Sequence, residues 1–374
     1  MRFALLLALL LASGIGPAVA QSSKEDSKGG KQPFSHVVER AKANESLVML
    51  LGGALGGAWL QMAQDIALAV SDGKKLRVLP VAGEGSKQNL HDVLLVRGVD
   101  LGITRLEVLN AAKASGELGP NLDRRISYIA ALAVDMLQVL ARPDIGSLKD
   151  LDGKQVNVIP KGSVVPSILK TLGVTIEEVN LSFSDVIERM RAGKLAASAC
   201  FCSLPIPAYK TASAELGFKL LEVPYTDAME DSYLPANLTA DVYPNLIGAG
   251  GKVQTIGSNV VLISYNWAPN TDRYRRIEAF SHAFFSNFDK LREPSRHPTW
   301  RSVNPAATIR GWQRFPGAQK WLDRLAAERK EVGNDAAGGD AATKAKAANA
   351  ISDPAEQERL FKEFLEWSRA KGKR

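Results

Sequence analysis

The sequence predicts an α/β protein built from two similar halves, each a mainly parallel sheet flanked by helices, with a helical extension at the C-terminal end. Three observations carry that expectation. Short apolar runs alternate with amphipathic stretches from Ser46 to Lys113, the pattern of βαβ units. The alternation restarts after Leu148. The composition, 45% hydrophobic over 374 residues, supplies enough apolar surface for two cores.

Element by element, Ser46–Leu51 reads as a strand and Ala58–Ala69 as a helix, followed by Leu76–Pro80, Lys87–Leu95, Asp100–Thr104 and Glu107–Lys113 in the same alternation. Ile126–Leu132 and Met136–Ala141 read as two further strands. In the second half, Gln155–Ile159, Asn180–Phe183, Ala196–Cys202 and Phe218–Val223 read as strands, with helices over Ser163–Leu172 and Ser184–Ala192. Gly257–Tyr265 is a late strand and Tyr274–Phe288 a long helix, expected to return to the first half.

The ends differ in character. Met1 and Arg2, the apolar run Phe3–Leu11 and the small residues Ala18-Val19-Ala20 have the layout of a secretory signal peptide. The expected organisation is therefore a signal peptide over 1–20, a flexible leader over 21–44, a first lobe over 45–138 plus 245–292, and a second lobe over 139–244. A helical extension over 293–332, a low-complexity linker over 333–350 and an amphipathic helix over 351–374 complete it. A signal peptide implies export, here to the periplasm.

Net charge is +7, but the basic residues are scattered without interleaved aromatics, so no nucleic-acid partner is expected. Cys200 and Cys202 lack the neighbouring ligands of a metal site, and no motif links them to His36, His91, His282 or His297. No metal, cofactor or catalytic residue is expected. The sulfurs share one face of a strand. That spacing leaves open a bridged pair or two small buried residues, and the burial habit of cysteine favours the second.

Three glycine-containing turns carry the binding expectation, each between a strand and a helix. The first is Gly52-Gly53-Ala54-Leu55-Gly56-Gly57-Ala58-Trp59, the second Gly83-Glu84-Gly85-Ser86-Lys87-Gln88-Asn89, and the third Lys161-Gly162-Ser163-Val164. Glycine lets the backbone approach a ligand, and the free N–H groups of a helix start attract an anion. Turns at the carboxyl ends of parallel strands line a crevice.

In order and spacing these segments resemble the TAXI family of TRAP-transporter solute receptors, which share the type II periplasmic binding protein fold. The resemblance covers roughly Ser46 to Asp289 and rests on Gly53–Trp59, Gly85-Ser86-Lys87-Gln88-Asn89-Leu90, Val99-Asp100-Leu101-Gly102-Ile103, Asp150-Leu151-Asp152-Gly153-Lys154-Gln155-Val156 and Gly162-Ser163. It implies capture of a small organic anion or amino-acid-like solute between two lobes, for delivery to the permease subunits of a TRAP-type transporter. The implied ligand-binding residues are Gly53, Ala54, Leu55, Gly56, Gly57, Ala58, Trp59, Gly85, Ser86, Asn89, Thr104, Arg105, Gly162, Ser163 and Val164.

Ala54 and Ala58 stand where the family carries hydroxyls, Trp59 where it carries tyrosine, Arg105 where it carries glutamine, and Ala196 where it carries aspartate. The cradle is thus expected to be less polar than the family's, with Arg105 either holding an anionic group or pairing with Glu107 at the surface. Two rivals are an enzyme on the same fold and a periplasmic sensor that signals to a membrane partner through the C-terminal segment.

Overall fold

The apolar runs form strands that assemble into one ten-stranded sheet. The computed structural model describes residues 36–212 and 214–336. In chain order the elements are α1 (His36–Glu45), β1 (Leu47–Leu51), α2 (Ala58–Val70), β2 (Arg77–Val81), α3 (Ser86–Leu95), β3 (Leu101–Arg105), α4 (Leu106–Ser115), α5 (Leu122–Arg125) and β4 (Ile126–Ala141). The second half contributes β5 (Gln155–Ile159), α6 (Val165–Thr171), β6 (Glu177–Val179), α7 (Phe183–Arg191), β7 (Ala197–Cys202), α8 (Pro207–Lys210), β8 (Lys219–Leu220) and β9 (Leu234–Thr239). Then follow β10 (Lys252–Tyr265), α9 (Asp272–Ser286), α10 (Phe288–Leu291) and α11 (Pro316–Ala336).

The parallel strands lie at the flanks: β1 pairs with β2 and β3, and β5 pairs with β6 and β7. An antiparallel seam joins them. β10 runs against β3 and against β4, and β4 runs against β7. β8 and β9 attach to β4 and β10 respectively.

Each half is covered on both faces, so β3, β5 and β7 are buried over nearly their whole length rather than at alternate residues. In the first half, Val48, Leu50, Leu101 and Ile103 pack with Met62 and Ile66 of α2 and with Phe280, Phe284 and Phe285 of α9. On the opposite face Leu51, Val261 and Ile263 meet Leu90 and Val93 of α3 and Leu109 of α4. In the second half, Leu137, Val139, Val156 and Val158 pack with Ile168 and Leu169 of α6, while Leu140 and Cys200 meet Val186 and Met190 of α7.

Several expected boundaries shift. Ile126–Leu132 and Met136–Ala141 are one sixteen-residue strand, because Asp135, which breaks the apolar run, finds partners inside the protein. β10 begins at Lys252, five residues ahead of the expected start, where it pairs with β9. In the second half the expected strand Asn180–Phe183 is displaced. The strand is Glu177–Val179, and Ser182 instead caps α7 by accepting the Asp185 N–H. Only Lys219–Leu220 of the expected Phe218–Val223 pairs as a strand. α1 occupies the end of the expected flexible leader, and α11 continues past 332 to Ala336, into the expected linker. The signal peptide, most of the leader and the C-terminal amphipathic helix lie outside the described residues. Among the described residues, no helix is long and apolar enough to cross a membrane.

The extension packs on the first half. Trp300, Phe315 and Trp321 enter the core beside α2 and α9, and Trp312 enters the opposite face. Two polar anchors fix its course. Asp65 of α2, buried, accepts the His297 N–H at 2.8 Å and the Trp300 Nε1–H at 2.9 Å, with Arg296 Nη1 at 3.8 Å. Arg314 donates to the carbonyls of Ile129, Pro305, Ala306 and Ala307 at 2.8–3.2 Å, over the Tyr128 ring. Burial pushes the Arg314 guanidinium below its usual range, and the carbonyl cage offsets part of that cost.

Asp65→Ala leaves a buried indole N–H and a backbone N–H without acceptors. It is expected to lower stability by about 2–4 kcal/mol in urea unfolding of the full chain, while Asp65→Asn, which keeps an acceptor, is expected to cost less than half as much.

Candidate functional site

The register of the central strands decides where the two sets of parallel strands meet. Arg105, the last residue of β3, lies opposite Val260, and Val260 lies opposite Ala133 of β4. Cys202, the last residue of β7, lies opposite Met136 of β4. β3 and β7 therefore run toward each other along β4 and stop three residues apart on it. β1 and β2 end on the same side as β3, and β5 and β6 on the same side as β7. The carboxyl ends of both parallel sets converge on the stretch Ala133–Met136, the arrangement that in open α/β sheets leaves a crevice outside the strand ends.

The first two glycine turns and the end of β3 are sewn together. Gly52 N–H donates to the Val81 carbonyl at 2.9 Å, and Gly83 N–H to the Gly53 carbonyl at 3.1 Å. Asn89, buried at the start of α3, donates its Nδ2 to the carbonyls of Gly52 at 2.6 Å and Ile103 at 2.7 Å. Thr104 Oγ1 donates to the Ser86 carbonyl at 3.0 Å. Glycine is required at Gly52 because a Cβ there would stand 2.8 Å from the Leu60 Cα. Gly85, which caps α3, has φ of +129°, outside the usual range of other residues.

Of the residues expected to bind, Asn89 and Thr104 are therefore occupied in holding the turns in place. Ser86 is buried, and its Oγ has no hydrogen-bond partner. Ala54, Leu55 and Gly56 stand exposed, Gly57 and Ala58 are half-buried, and Trp59 is buried. In the third turn Gly162 has φ of +72°, and Ser163 and Val164 are half-buried. Its bonds stay local, Ser163 N–H to the Pro160 carbonyl at 3.1 Å and Val165 N–H to Ser163 Oγ at 3.4 Å.

Arg105 is the residue on which the two halves meet. Its guanidinium lies 5.7 Å from the Trp59 ring centre and 5.1 Å from that of Phe201. Nε donates to Glu107 Oε1 at 2.5 Å, and Nη1 donates to the Phe201 carbonyl at 2.8 Å, across from β3 to β7. The pairing with Glu107 thus forms, but in the interior and not at the surface: Arg105 is 6% exposed and Glu107 3%.

A second carboxylate shares the same cation. Asp135 Oδ2 lies 3.8 Å from Arg105 Nη1, and its Oδ1 accepts the Ser203 hydroxyl at 2.5 Å. Ser258 of β10 donates its Oγ to Glu107 Oε2 at 2.5 Å. Tyr233 leans on Phe201 with ring centres 5.9 Å apart.

None of Glu107, Asp135, Phe201, Ser203, Tyr233 and Ser258 was among the residues expected to bind. Their one trace in the sequence is Asp135, a charge between two apolar runs, which reads by itself as a break between strands.

The electrostatics follow from one guanidinium facing two carboxylates in a dry place. Burial pushes the Asp135 carboxyl up to about 6; Arg105 and the hydrogen bond from Ser203 act against that, Glu107 adds to it, and a hydrogen bond from Trp59 opposes it. Burial also raises the Tyr233 phenol, with Glu107 adding and Arg105 opposing.

Cys200 and Cys202 bracket Phe201 and are joined as a disulfide, with Cα atoms 5.4 Å apart. The bridged alternative is the one that forms, since alternate strand positions place both sulfurs on one face, and Cys200 is buried all the same. Among the described residues no cluster of three or more His, Cys, Asp or Glu side chains is placed to hold a metal ion.

The raised Asp135 carboxyl makes stability depend on pH. Between about pH 4 and 6 the folded chain holds a proton at Asp135 that the unfolded chain has lost, so stability falls as pH rises through that window. Asp135→Asn is expected to remove that slope, worth on the order of 2–3 kcal/mol, in urea titrations from pH 4 to 7.5.

Among solved structures the chain resembles the alkanesulfonate-binding protein SsuA from Xanthomonas axonopodis pv. citri bound to MOPS, at 16% identity over 76% of this chain and 93% of that one, with a TM-score of 0.39. It also resembles R. palustris Rpa4515 with adipate, at 17% identity over 78% and 97% with a TM-score of 0.44. A TctC solute binding protein from Polaromonas matches at 11% identity over 74% and 88%, with a TM-score of 0.40. No curated protein matches the chain in sequence. The model of the NMT1-like family matches residues 50–323, a span that takes in every strand of the sheet but β1's first residues, all three glycine turns and the Arg105 cluster, and the chain belongs to that family.

Proposed function

We propose that this protein is an extracytoplasmic solute receptor that captures a small organic anion between the halves of its sheet. The observation that carries the reading is the convergence of β3 and β7 on Arg105, with Trp59 and Phe201 flanking the guanidinium. A guanidinium between aromatic walls suits a planar anionic group attached to an apolar body. The unpartnered Ser86 hydroxyl at the start of α3 offers a further donor, and a helix start favours negative charge.

In this reading the halves on either side of Ala133–Met136 act as two lobes. β4 and β10 run through both without a break, so they serve as the hinge about which the lobes close on the solute. Arg105, fixed in the first half and bonded to the Phe201 carbonyl in the second, reports closure to both. The motifs that resemble the TAXI receptors support delivery to a TRAP-type permease, and the N-terminal signal pattern supports a periplasmic setting.

A thermal-shift panel of small monocarboxylates, dicarboxylates and sulfonates tests the reading. At least one acid is expected to raise the melting temperature in proportion to its concentration. Against that acid, Arg105→Ala is expected to weaken binding by about thirtyfold or more, and Arg105→Lys, which keeps the charge but loses the planar fork, by a smaller factor. Unchanged affinity in Arg105→Ala would show that the guanidinium does not hold the solute.

A further inference from the structure

The cluster around Arg105 poses a charge problem for any anion that enters it. One cation already faces two carboxylates, Glu107 at 2.5 Å and Asp135 at 3.8 Å. Both are buried, as is Arg105. A solute carboxylate or sulfonate placed on the same guanidinium would be a third anion on one cation away from bulk water, and at low dielectric that repulsion is strong. The aromatic walls Trp59 and Phe201 bring no charge of their own to offset it. Among the described residues, the groups that face Asp135 are Trp59 from α2, Arg105 from the end of β3, Glu107 from α4 and Ser203 after β7. Tyr233, beside Glu107 and Arg105, stays a neutral phenol.

The two carboxylates are not equivalent. Glu107 is held by the guanidinium at 2.5 Å and by the Ser258 hydroxyl at 2.5 Å. Asp135 sits farther from the cation, and its close donor is neutral: the Ser203 hydroxyl at 2.5 Å. Protonating Asp135 need not break that contact: the Ser203 hydroxyl turns to accept the new O–H.

We propose that Asp135 takes up one proton as the anion enters, so that the receptor captures an organic anion and a proton together. The inference rests on the receptor reading above and deepens it: the captured species is an anion whose charge is balanced inside the protein by neutralising Asp135, with Arg105 and Glu107 left as a pair. The proton comes from a buffer acid or hydronium ion in solvent, forming an O–H bond on the Asp135 carboxyl and leaving the conjugate base in solution. Affinity for the anion then falls as pH rises above neutrality, because each binding event must draw a proton from a more dilute supply. The raised Asp135 carboxyl, already near the working range of pH, lowers the cost of that uptake.

The test uses the full chain and adipate as the probe, alongside the panel of acids described above. Heats of binding are measured at pH 7 in phosphate and in imidazole, whose ionisation enthalpies differ, and dissociation constants at pH 6 and pH 7.5. The wild-type chain is expected to take up between about one half and one proton per bound anion, and to bind about tenfold more weakly at pH 7.5 than at pH 6. Asp135→Asn, which keeps the size and hydrogen-bonding capacity of the side chain, is expected to bind without proton uptake and with the same affinity at both pH values. A melting curve confirms that this variant is folded. Binding with equal heats in both buffers, or proton uptake that survives in Asp135→Asn, would overturn the coupling while leaving the receptor intact. If neither adipate nor any acid of the panel binds at either pH, the receptor reading fails and the coupling falls with it.

Discussion

A buried guanidinium at the meeting point of two sets of parallel strands is the constraint around which the rest of this protein is arranged. Arg105 ends β3 and reaches the carbonyl of Phe201 near the end of β7. A cation in such a place must be paired and hydrogen-bonded, or the fold loses several kcal/mol. Glu107, two residues on, supplies the pair, and Ser258 of β10 holds Glu107 in turn. Asp135 of β4 and Ser203 after β7 complete the set. These residues come from β3, α4, β10, β4 and the end of β7 with its following turn, so the cluster forms only when strand register and helix entry are all correct. The same polar contacts that satisfy the charge also join the two halves.

The glycine turns play a supporting part that is mechanical before it is chemical. Gly52 lets α2 pack close to the end of β1, and Gly85 allows α3 to start directly after its turn. Asn89 spends both N–H groups of its amide on the carbonyls of Gly52 and Ile103, locking two turns and a strand end together. Under the receptor reading proposed above, that rigidity favours binding, because donors held in place ahead of a ligand lose little freedom when it arrives. The extension acts likewise on the outer side. Asp65 and Arg314 tie it to α2 and β4, and its tryptophans fill the core beside them.

Much of this was legible in the sequence, for physical reasons that can be named. The alternation of apolar runs and amphipathic stretches located the strands β1, β2, β3, β5 and β7 and their helices to within a few residues, because parallel strands buried on both faces read as continuous apolar runs. The glycines at the strand-to-helix turns were equally legible, since they sit where each apolar run gives way to an amphipathic stretch. Arg105 stood out as a charge at the end of an apolar strand. Asp135 did not, because a single acidic residue between Val134 and Met136 reads as the end of one strand and the start of another. Its partners Trp59, Ser203 and Arg105 lie 76, 68 and 30 residues away along the chain, beyond any local pattern. The disulfide between Cys200 and Cys202 is a related case: their spacing permits a bridge but does not require one.

The sequence by itself determined the α/β class, the two successive units, the glycine-edged turns and the presence of one cation at a strand end, because these depend on local periodicity and backbone freedom. The tertiary structure alone decided that β4 is one strand and not two, that β3 and β7 end face to face upon it, and that Arg105 is shared by Glu107 and Asp135. Those outcomes depend on which strand pairs with which and in what register. Register is set by burial and hydrogen bonding summed over the whole sheet, a sum that no local stretch of sequence contains.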